Sequence, residues 1–314
     1  MNGHVSVLLP ESLALLNIHD GGTYVDLTLG RGGTSSEILK KIPNGRLVCF
    51  DLDEEAIEKS TSRLKAIGSN FTIVHSNFSN YPEELKKLGI SQVDGLTADL
   101  GVSSPQFDEA DRGFSYKEEA PLDMRMDVRQ TLSAYDVVNT YSLHDLTRIF
   151  REYGEDKDAY AVSKAIIKKR ESSPIKTTTE LAELIKESKP ISSRLKKGHP
   201  AKQIFQAIRI EVNGELDNLK KALDAIPSVI APKGRVAIIS FHSLEDRLVK
   251  DKFKELTVVE GNRHEMYDLP SELEEAPFIN LTKKPIEAGL EEVENNHRSA
   301  SAKLRGIERK GENP

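Results

Sequence analysis

The chain has 314 residues, 38% of them hydrophobic and 30% charged, with a net charge of −6. That is enough apolar material for one large domain or two ordinary ones, and it excludes a chain that is disordered throughout. The single cysteine, Cys49, excludes an internal disulfide and a cysteine-based metal site.

The N-terminus shows no basic start followed by a long apolar run, and no stretch reaches the roughly 18 apolar residues of a membrane span. A cytosolic protein without a membrane partner is therefore expected. In chain order, the first hundred residues alternate apolar runs with amphipathic stretches. Thr23–Leu29, Arg46–Asp51, Phe71–His75 and Val93–Leu100 read as buried strands. Thr34–Lys41, Glu54–Ile67 and Pro82–Leu88 read as the intervening helices, the second capped by Asp53. Such alternation predicts an α/β fold with a parallel sheet and right-handed crossovers.

The rhythm breaks after Pro105. From about residue 109 to 208 helical periods replace it, at Leu143–Tyr153, Asp158–Arg170 and Thr179–Ser188. Polar breaks, Ser172-Ser173-Pro174 and Lys189-Pro190, separate them. A helical insertion domain is expected there, between two parts of one α/β domain, 1–108 and 209–314. Afterwards come a long helix over Ile210–Ile226, a strand at Gly234–Ser240 and a helix at Ser243–Glu255. Phe278–Leu281 and Ser301–Ile307 are expected to finish the sheet as an antiparallel pair with a long connection.

The run Asp26-Leu-Thr-Leu-Gly30-Arg-Gly32-Gly33-Thr34 carries most of the chemical information. Glycines there let the backbone turn tightly and approach a ligand, and the next helix presents free N–H groups at its start. Asp51, closing the second strand, is placed to accept hydrogen bonds from ribose hydroxyls. The third glycine of the dinucleotide fingerprint is missing, Ser35 standing in its place. That absence, with Asp26 ahead of the first glycine, favours S-adenosylmethionine. A dinucleotide or a purely structural turn remains an alternative at this point. A ligand in such a sheet lies beyond the carboxyl ends of the strands, which adds Phe78, as a stacking surface, and Asp99.

Several motifs resemble one family. They are Asp99-Leu-Gly-Val-Ser-Ser-Pro-Gln106, Asp111-Arg-Gly-Phe-Ser115, Pro121-Leu-Asp-Met-Arg-Met126, Tyr153-Gly-Glu155, His199-Pro-Ala201, Phe205-Gln-Ala-Ile-Arg209, Asn213-Gly-Glu-Leu216 and Ile239-Ser-Phe-His-Ser-Leu-Glu-Asp-Arg247. From His4-Val-Ser-Val-Leu-Leu9 to Lys303-Leu-Arg-Gly-Ile-Glu-Arg309 the chain is similar to the bacterial 16S rRNA cytosine-N4 methyltransferases, the RsmH (formerly MraW) family. The resemblance implies a class I, Rossmann-like methyltransferase sheet interrupted by a helical domain, with S-adenosylmethionine as donor. By position it implies cofactor contacts at Gly32, Gly33, Thr34, Asp51, Phe78, Asp99 and Gln106. It implies 16S rRNA in the small ribosomal subunit as partner, and methylation of a cytidine N4 near the decoding centre, position 1402 in standard rRNA numbering. Two places depart from the pattern. Thr34 stands where the family usually has His, and Asn296-His297-Arg298-Ser299-Ala300 where Asn-Pro-Arg and a second Arg are usual.

The exocyclic amine of cytosine is a poor nucleophile because its lone pair is delocalised into the ring. Catalysis therefore has to position it, and an acceptor such as Asp99 or a carbonyl around Leu100–Val102 draws the lone pair out of conjugation. His242, after the fifth strand, is a second candidate for a catalytic role, or else a structural histidine. Ser103 and Ser104 either line the pocket or form a turn. No acidic or histidine grouping has convincing metal-ligand spacing, and methyl transfer needs no metal. Between Lys164 and Lys202 eleven Lys/Arg face four Glu, a local charge of +7 that leaves −13 for the rest. Arg112, Arg125 and the stretch Lys189–Lys202, with Lys196, Lys197 and Lys202, are the candidate phosphate contacts. Arg125 has Asp123 and Asp127 as alternative local partners. A methyltransferase acting on a small molecule and a noncatalytic ribosome-binding factor are the rival readings.

Overall fold

The computed structural model describes residues 6–101, 110–195, 198–258 and 275–311. Gln106, Ser103, Ser104, Lys196 and Lys197 lie outside the described residues. Contacts divide the chain into two compact units, residues 1–101 with 217–314, and residues 102–216.

The first unit is a seven-stranded sheet. Its elements are α1 (Leu9–Leu16), β1 (Thr23–Asp26), α2 (Gly33–Lys41), β2 (Arg46–Asp51), α3 (Glu54–Lys65), β3 (Phe71–His75), α4 (Tyr81–Lys87) and β4 (Val93–Asp99). The order in the sheet is β3-β2-β1-β4, followed by β5 (Ile230–Ser240), β7 (Lys303–Arg309) and β6 (Phe278–Asn280). The first five of these run parallel, and β7 lies antiparallel between β5 and β6. The period-2 alternation of each strand sorts its side chains onto two faces. Val25, Val48, Phe50, Val236 and Ile238 enter one buried cluster, while Tyr24, Leu47, Cys49, Ala237 and Ile239 enter the other. Both faces are covered, as a parallel sheet requires.

Several local expectations are met for the reasons given by the residues. β2 and β3 span the expected ranges, but β3, expected to be buried, is half-buried because it lies at the edge of the sheet with a neighbour on one side. Asp53 caps α3 by accepting from Glu55 N (3.0 Å) and Ala56 N (3.4 Å). Cys49 is buried and its thiol is pushed well up, chiefly by burial, so it is inert. β1 stops at Asp26 rather than Leu29, because the chain turns there, although Leu27 N still reaches Thr97 O (2.9 Å) and Leu29 N reaches Phe50 O (2.9 Å). Helix α1 was not legible as a helix. It is entered through Leu8 in the left-handed conformation (φ 49°) and left through Asn17 (φ 47°).

The second unit is helical. It contains α5 (Ala134–Thr140), α6 (Leu143–Glu152), α7 (Ala159–Ser172), α8 (Thr178–Ser188), the single turn α9 (Ile191–Arg194) and α10 (Lys202–Asn213). Ser133, Ser142 and Thr177 cap α5, α6 and α8 with their hydroxyls. Its own core includes Val137, Leu146, Phe150, Ile166, Ile185 and Phe205. The expected helix over 210–226 is two helices. Gly214 takes φ 58° and ends α10, and α11 (Glu215–Val229) starts anew beyond it. Phe205, Ile208 and Val212 of α10 belong to the helical core, so the boundary falls at Leu216/Asp217 rather than near residue 208. The helix α12 (Ser243–Thr257) and α13 (Leu290–Asn295) complete the first unit. Among the described residues no helix is long and apolar enough to cross a membrane.

Candidate active site

β1 and β4 are neighbours at the point where the strand order reverses, and their carboxyl ends frame the crevice in which open α/β sheets bind ligands. The turn after β1 is held from three sides. Asp51 Oδ2 accepts from Gly30 N (2.8 Å), Ser60 Oγ donates to Gly30 O (2.7 Å), and Gly32 N closes on Leu29 O (2.8 Å). Gly30 and Gly32 both have positive φ, 50° and 71°. A Cβ on Gly32 would stand 3.3 Å from Ser60, so both backbone conformation and space select glycine there. Gly32 caps α2 without a side-chain acceptor, which leaves the first-turn amides of Gly33 and Thr34 facing the turn. Asp26 lies beneath. It is buried and accepts from Ser35 Oγ (2.6 Å) and Thr28 N (3.1 Å), so it braces the turn from inside.

Two carboxylates sit at the strand tips. Asp51 Oδ1 accepts from Asp53 N (2.9 Å), and each of its oxygens keeps a further lone pair. Burial pushes its carboxyl up to about 6, against the pull of the Asp53 and Gly30 amides. Asp99 ends β4. Its backbone N donates to Thr28 Oγ1 (2.6 Å), which ties the tips of β1 and β4 together. Its Oδ1 is sealed from solvent and has no hydrogen-bond partner. Burial, then the charges of Asp26 and Glu245, raise the Asp99 carboxyl to about 7.

Beside it, β5 runs out into Phe241 and His242. His242 caps α12, its Nδ1 accepting from Glu245 N (3.4 Å). Glu245 Oε2 accepts from Phe241 N (2.8 Å), and its Oε1 lies 3.1 Å from His242 Nε2, close but not aligned as a hydrogen bond. His242 thus caps the helix while Glu245 holds the residue before it, which gives His242 a structural task. Glu245 was not picked out from the sequence, although its i,i+3 spacing from His242 is the capping-box spacing that would have found it. Phe78 follows β3, but its ring packs against the sheet core and walls an apolar pocket with Leu27, Leu96, Leu100 and Ile238. Gly32, Gly33, Thr34, Asp51, Asp99, Phe78 and His242 thus all belong to the carboxyl edge of one sheet.

The helical unit changes the expectation for its cations. Arg125 is a strut: Nε and Nη2 hold Asp123 (2.7 and 2.8 Å), and Nη1 donates to Val128 O (3.1 Å) and Gln130 O (2.9 Å). Arg112 donates to Arg125 O (2.9 Å) and Met126 O (3.3 Å) and lies over the Phe114 ring. Neither guanidinium is an open phosphate contact, because their donors face backbone carbonyls and a carboxylate. Lys189 is buried against Asp156 (2.5 Å) and also donates to Pro200 O (2.7 Å), so it too is internal. Lys202 is exposed at the start of α10.

The crevice suits S-adenosylmethionine. The orphaned Asp99 oxygen and the spare lone pairs of Asp51 are acceptors for a ligand that brings donors and positive charge, and the glycine turn admits close backbone approach. Fold and site together define a class I S-adenosylmethionine-dependent methyltransferase carrying a helical insertion.

The model of the MraW methylase family matches residues 1–310, and the chain belongs to that family. It is 50% identical over 307 residues to the ribosomal RNA small subunit methyltransferase H of Clostridioides difficile, covering 98% of each chain. To the protein of the same name from Mesoplasma florum it is 48% identical over 312 residues, covering 99% of this chain and 100% of that one. A solved structure titled as a putative rRNA-methylase from Clostridium thermocellum aligns over 99% of both chains with 11% identity and a TM-score of 0.45.

Proposed function

We propose that this protein methylates the exocyclic N4 of a cytidine in 16S rRNA, near the decoding centre of the small ribosomal subunit. The observation that carries this reading is Asp99: a half-buried carboxyl whose Oδ1 is sealed and unpartnered, at the tip of β4, beside the turn that receives the methyl donor. When bound, S-adenosylmethionine supplies an electrophilic methyl carbon on a cationic sulfur. Asp51 accepts from the ribose hydroxyls, and the amides of Gly33 and Thr34 approach the ligand's anionic groups. Thr34 keeps the backbone contact but lacks any imidazole contact.

The Asp99 carboxylate accepts a hydrogen bond from the target amine, which localises the nitrogen lone pair and fixes its direction of attack. Its raised pKa keeps this acceptor close to its ionisation point at neutral pH. The methylated amine is then acidic enough to lose its proton without a strong general base. A cytidine held in a duplex first has to leave its stack, which costs a few kcal/mol. His242 serves this scheme indirectly, by fixing the loop after β5 and Glu245 behind Asp99. The helical unit supplies the RNA contacts, through exposed cations such as Lys202 rather than through Arg112, Arg125 or Lys189.

Mass mapping of methyl groups on rRNA from cells lacking the gene, with and without complementation, tests the assignment. One cytidine should lose a single methyl group, and the parent chain, but not Asp99→Ala, should restore it. Complementation by Asp99→Ala at parental level would remove Asp99 from the mechanism. A small-molecule methyltransferase predicts no rRNA change at all. A noncatalytic ribosome factor predicts that every Asp99 variant complements as well as the parent chain.

A further inference from the structure

The helical unit carries an aromatic column that ends in an exposed ring. The rings of Tyr116 and His199 stack with centroids 4.4 Å apart and planes 16° from parallel. Phe205, buried in the unit's core, meets the Tyr116 ring edge-on at 5.7 Å. The column therefore runs from the interior outward and ends in His199, whose side chain is exposed. One imidazole face is covered by Tyr116, and the side chain as a whole is exposed.

His199 is also held rigidly. Its Nδ1 accepts from Ala201 N (3.2 Å), and its carbonyl accepts from Lys202 N (3.0 Å). The buried Lys189 reaches into the same turn and donates to Pro200 O (2.7 Å) while paired with Asp156. Acceptance at Nδ1 selects the neutral ring with its hydrogen on Nε2. Burial and then the charge of Lys186, with those of Lys117 and Lys189, hold the imidazole below its ordinary pKa, against the opposing pull of Glu183. The result is a flat, neutral, preorganised ring in a positive field. Lys117, Lys186 and Lys202 are exposed around it.

We propose that the Tyr116–His199 stack is a platform on which one unpaired base of the RNA substrate stacks, with Lys117, Lys186 and Lys202 holding the flanking phosphates. This rests on the RNA reading above and adds a base contact carried by the helical unit itself. An aromatic face and neighbouring cations are what a splayed-out nucleotide requires, since every base offers a π-face and every linkage a charge.

The test uses the full chain and a short single-stranded oligoribonucleotide carrying one 2-aminopurine, whose fluorescence falls when it stacks. Anisotropy gives affinity, and the quench gives stacking. The parent should bind and quench. His199→Ala should bind about ten-fold more weakly with the quench lost, whereas His199→Phe should keep both, as expected for the loss and retention of one stacked base. Lys202→Ala should lower the slope of log affinity against log salt by about 0.7 and leave the quench intact. Far-ultraviolet dichroism and S-adenosylmethionine affinity, both unchanged in the exposed His199 variants, exclude misfolding. If the parent binds and methylates RNA while His199→Ala matches it in affinity and quench, the platform is refuted and the function stands. If the parent binds no RNA, both fall.

Discussion

Replacing Asp99 by asparagine should stabilise the ligand-free protein, and by more at pH 8.5 than at pH 5. The carboxyl of Asp99 rises from an ordinary 3.8 to about 7 in the folded chain. The folded state therefore holds a proton that the unfolded state has already released between these two values. Stability must fall as pH rises through that window, because the native state binds more protons than the unfolded one. At 1.36 kcal/mol per unit, the shift corresponds to about 4 kcal/mol lost by pH 8.5. About 3 kcal/mol of that falls between pH 5 and pH 8.5, and solvent reaching the partly exposed side chain screens part of it, so a difference of about 1 to 3 kcal/mol between the two pH values is expected. Asparagine has the same shape and no charge, and it escapes the repulsion from Asp26 and Glu245. The measurement is urea unfolding of parent and Asp99→Asn at pH 5 and pH 8.5, followed by circular dichroism because the chain has no tryptophan. The shifts of Asp26 and Asp51 are common to both proteins and largely cancel. A stability gap that is equal at the two pH values would refute the claim that the folded protein stores repulsion at this carboxyl.

The same carboxyls make cofactor binding pH-dependent. Asp51 at about 6 and Asp99 at about 7 are both expected to ionise when a cationic, hydrogen-bond-donating ligand arrives, so calorimetry should show S-adenosylmethionine affinity falling on acidification below about pH 7, and more steeply below about pH 6, with proton release on binding. Gly32→Ala forces a Cβ onto a backbone with φ 71° and to within 3.3 Å of Ser60; it should cost about 1 kcal/mol or more in chemical denaturation and weaken cofactor binding in the same calorimetric assay. Asp156→Ala leaves Lys189 buried and unpaired, and should lower the stability of the helical unit by about 3 to 5 kcal/mol, read as a lost or shifted thermal transition. Lys189→Met, which removes the charge and keeps the apolar stem, should be far milder than Asp156→Ala in the same scan, and equal losses would argue against a desolvated charge as the cause.

Much of the sheet was readable from residues alone. β2 and β3 are short apolar runs bounded by turn residues, and Arg46–Asp51 and Phe71–His75 span the expected ranges, β2 buried through its middle and β3 only half-buried at the sheet edge. The Asp53 cap and the glycine turn after β1 are likewise local, set by residues a few positions apart. The antiparallel close of the sheet by Phe278–Asn280 and Lys303–Arg309 followed from their strand-like pattern. Tertiary structure decided the rest. The Gly214 break is invisible to periodicity, because a glycine interrupts an amphipathic pattern only when the chain must turn there. Arg125 read either as a phosphate contact or as a local partner of Asp123 or Asp127, and Lys189 as the start of a basic stretch. The fold turned one into a carbonyl-bound strut and buried the other against Asp156, which lies far along the chain. Asp99 could be placed at a strand end by sequence, but its raised pKa could not. That value depends on burial and on Asp26 and Glu245, brought beside it only when β1, β4 and the loop after β5 meet at one edge. Backbone preference and hydrophobic rhythm act over a few residues and are written in the sequence. Desolvation and charge proximity act through space, and only the folded chain sets them.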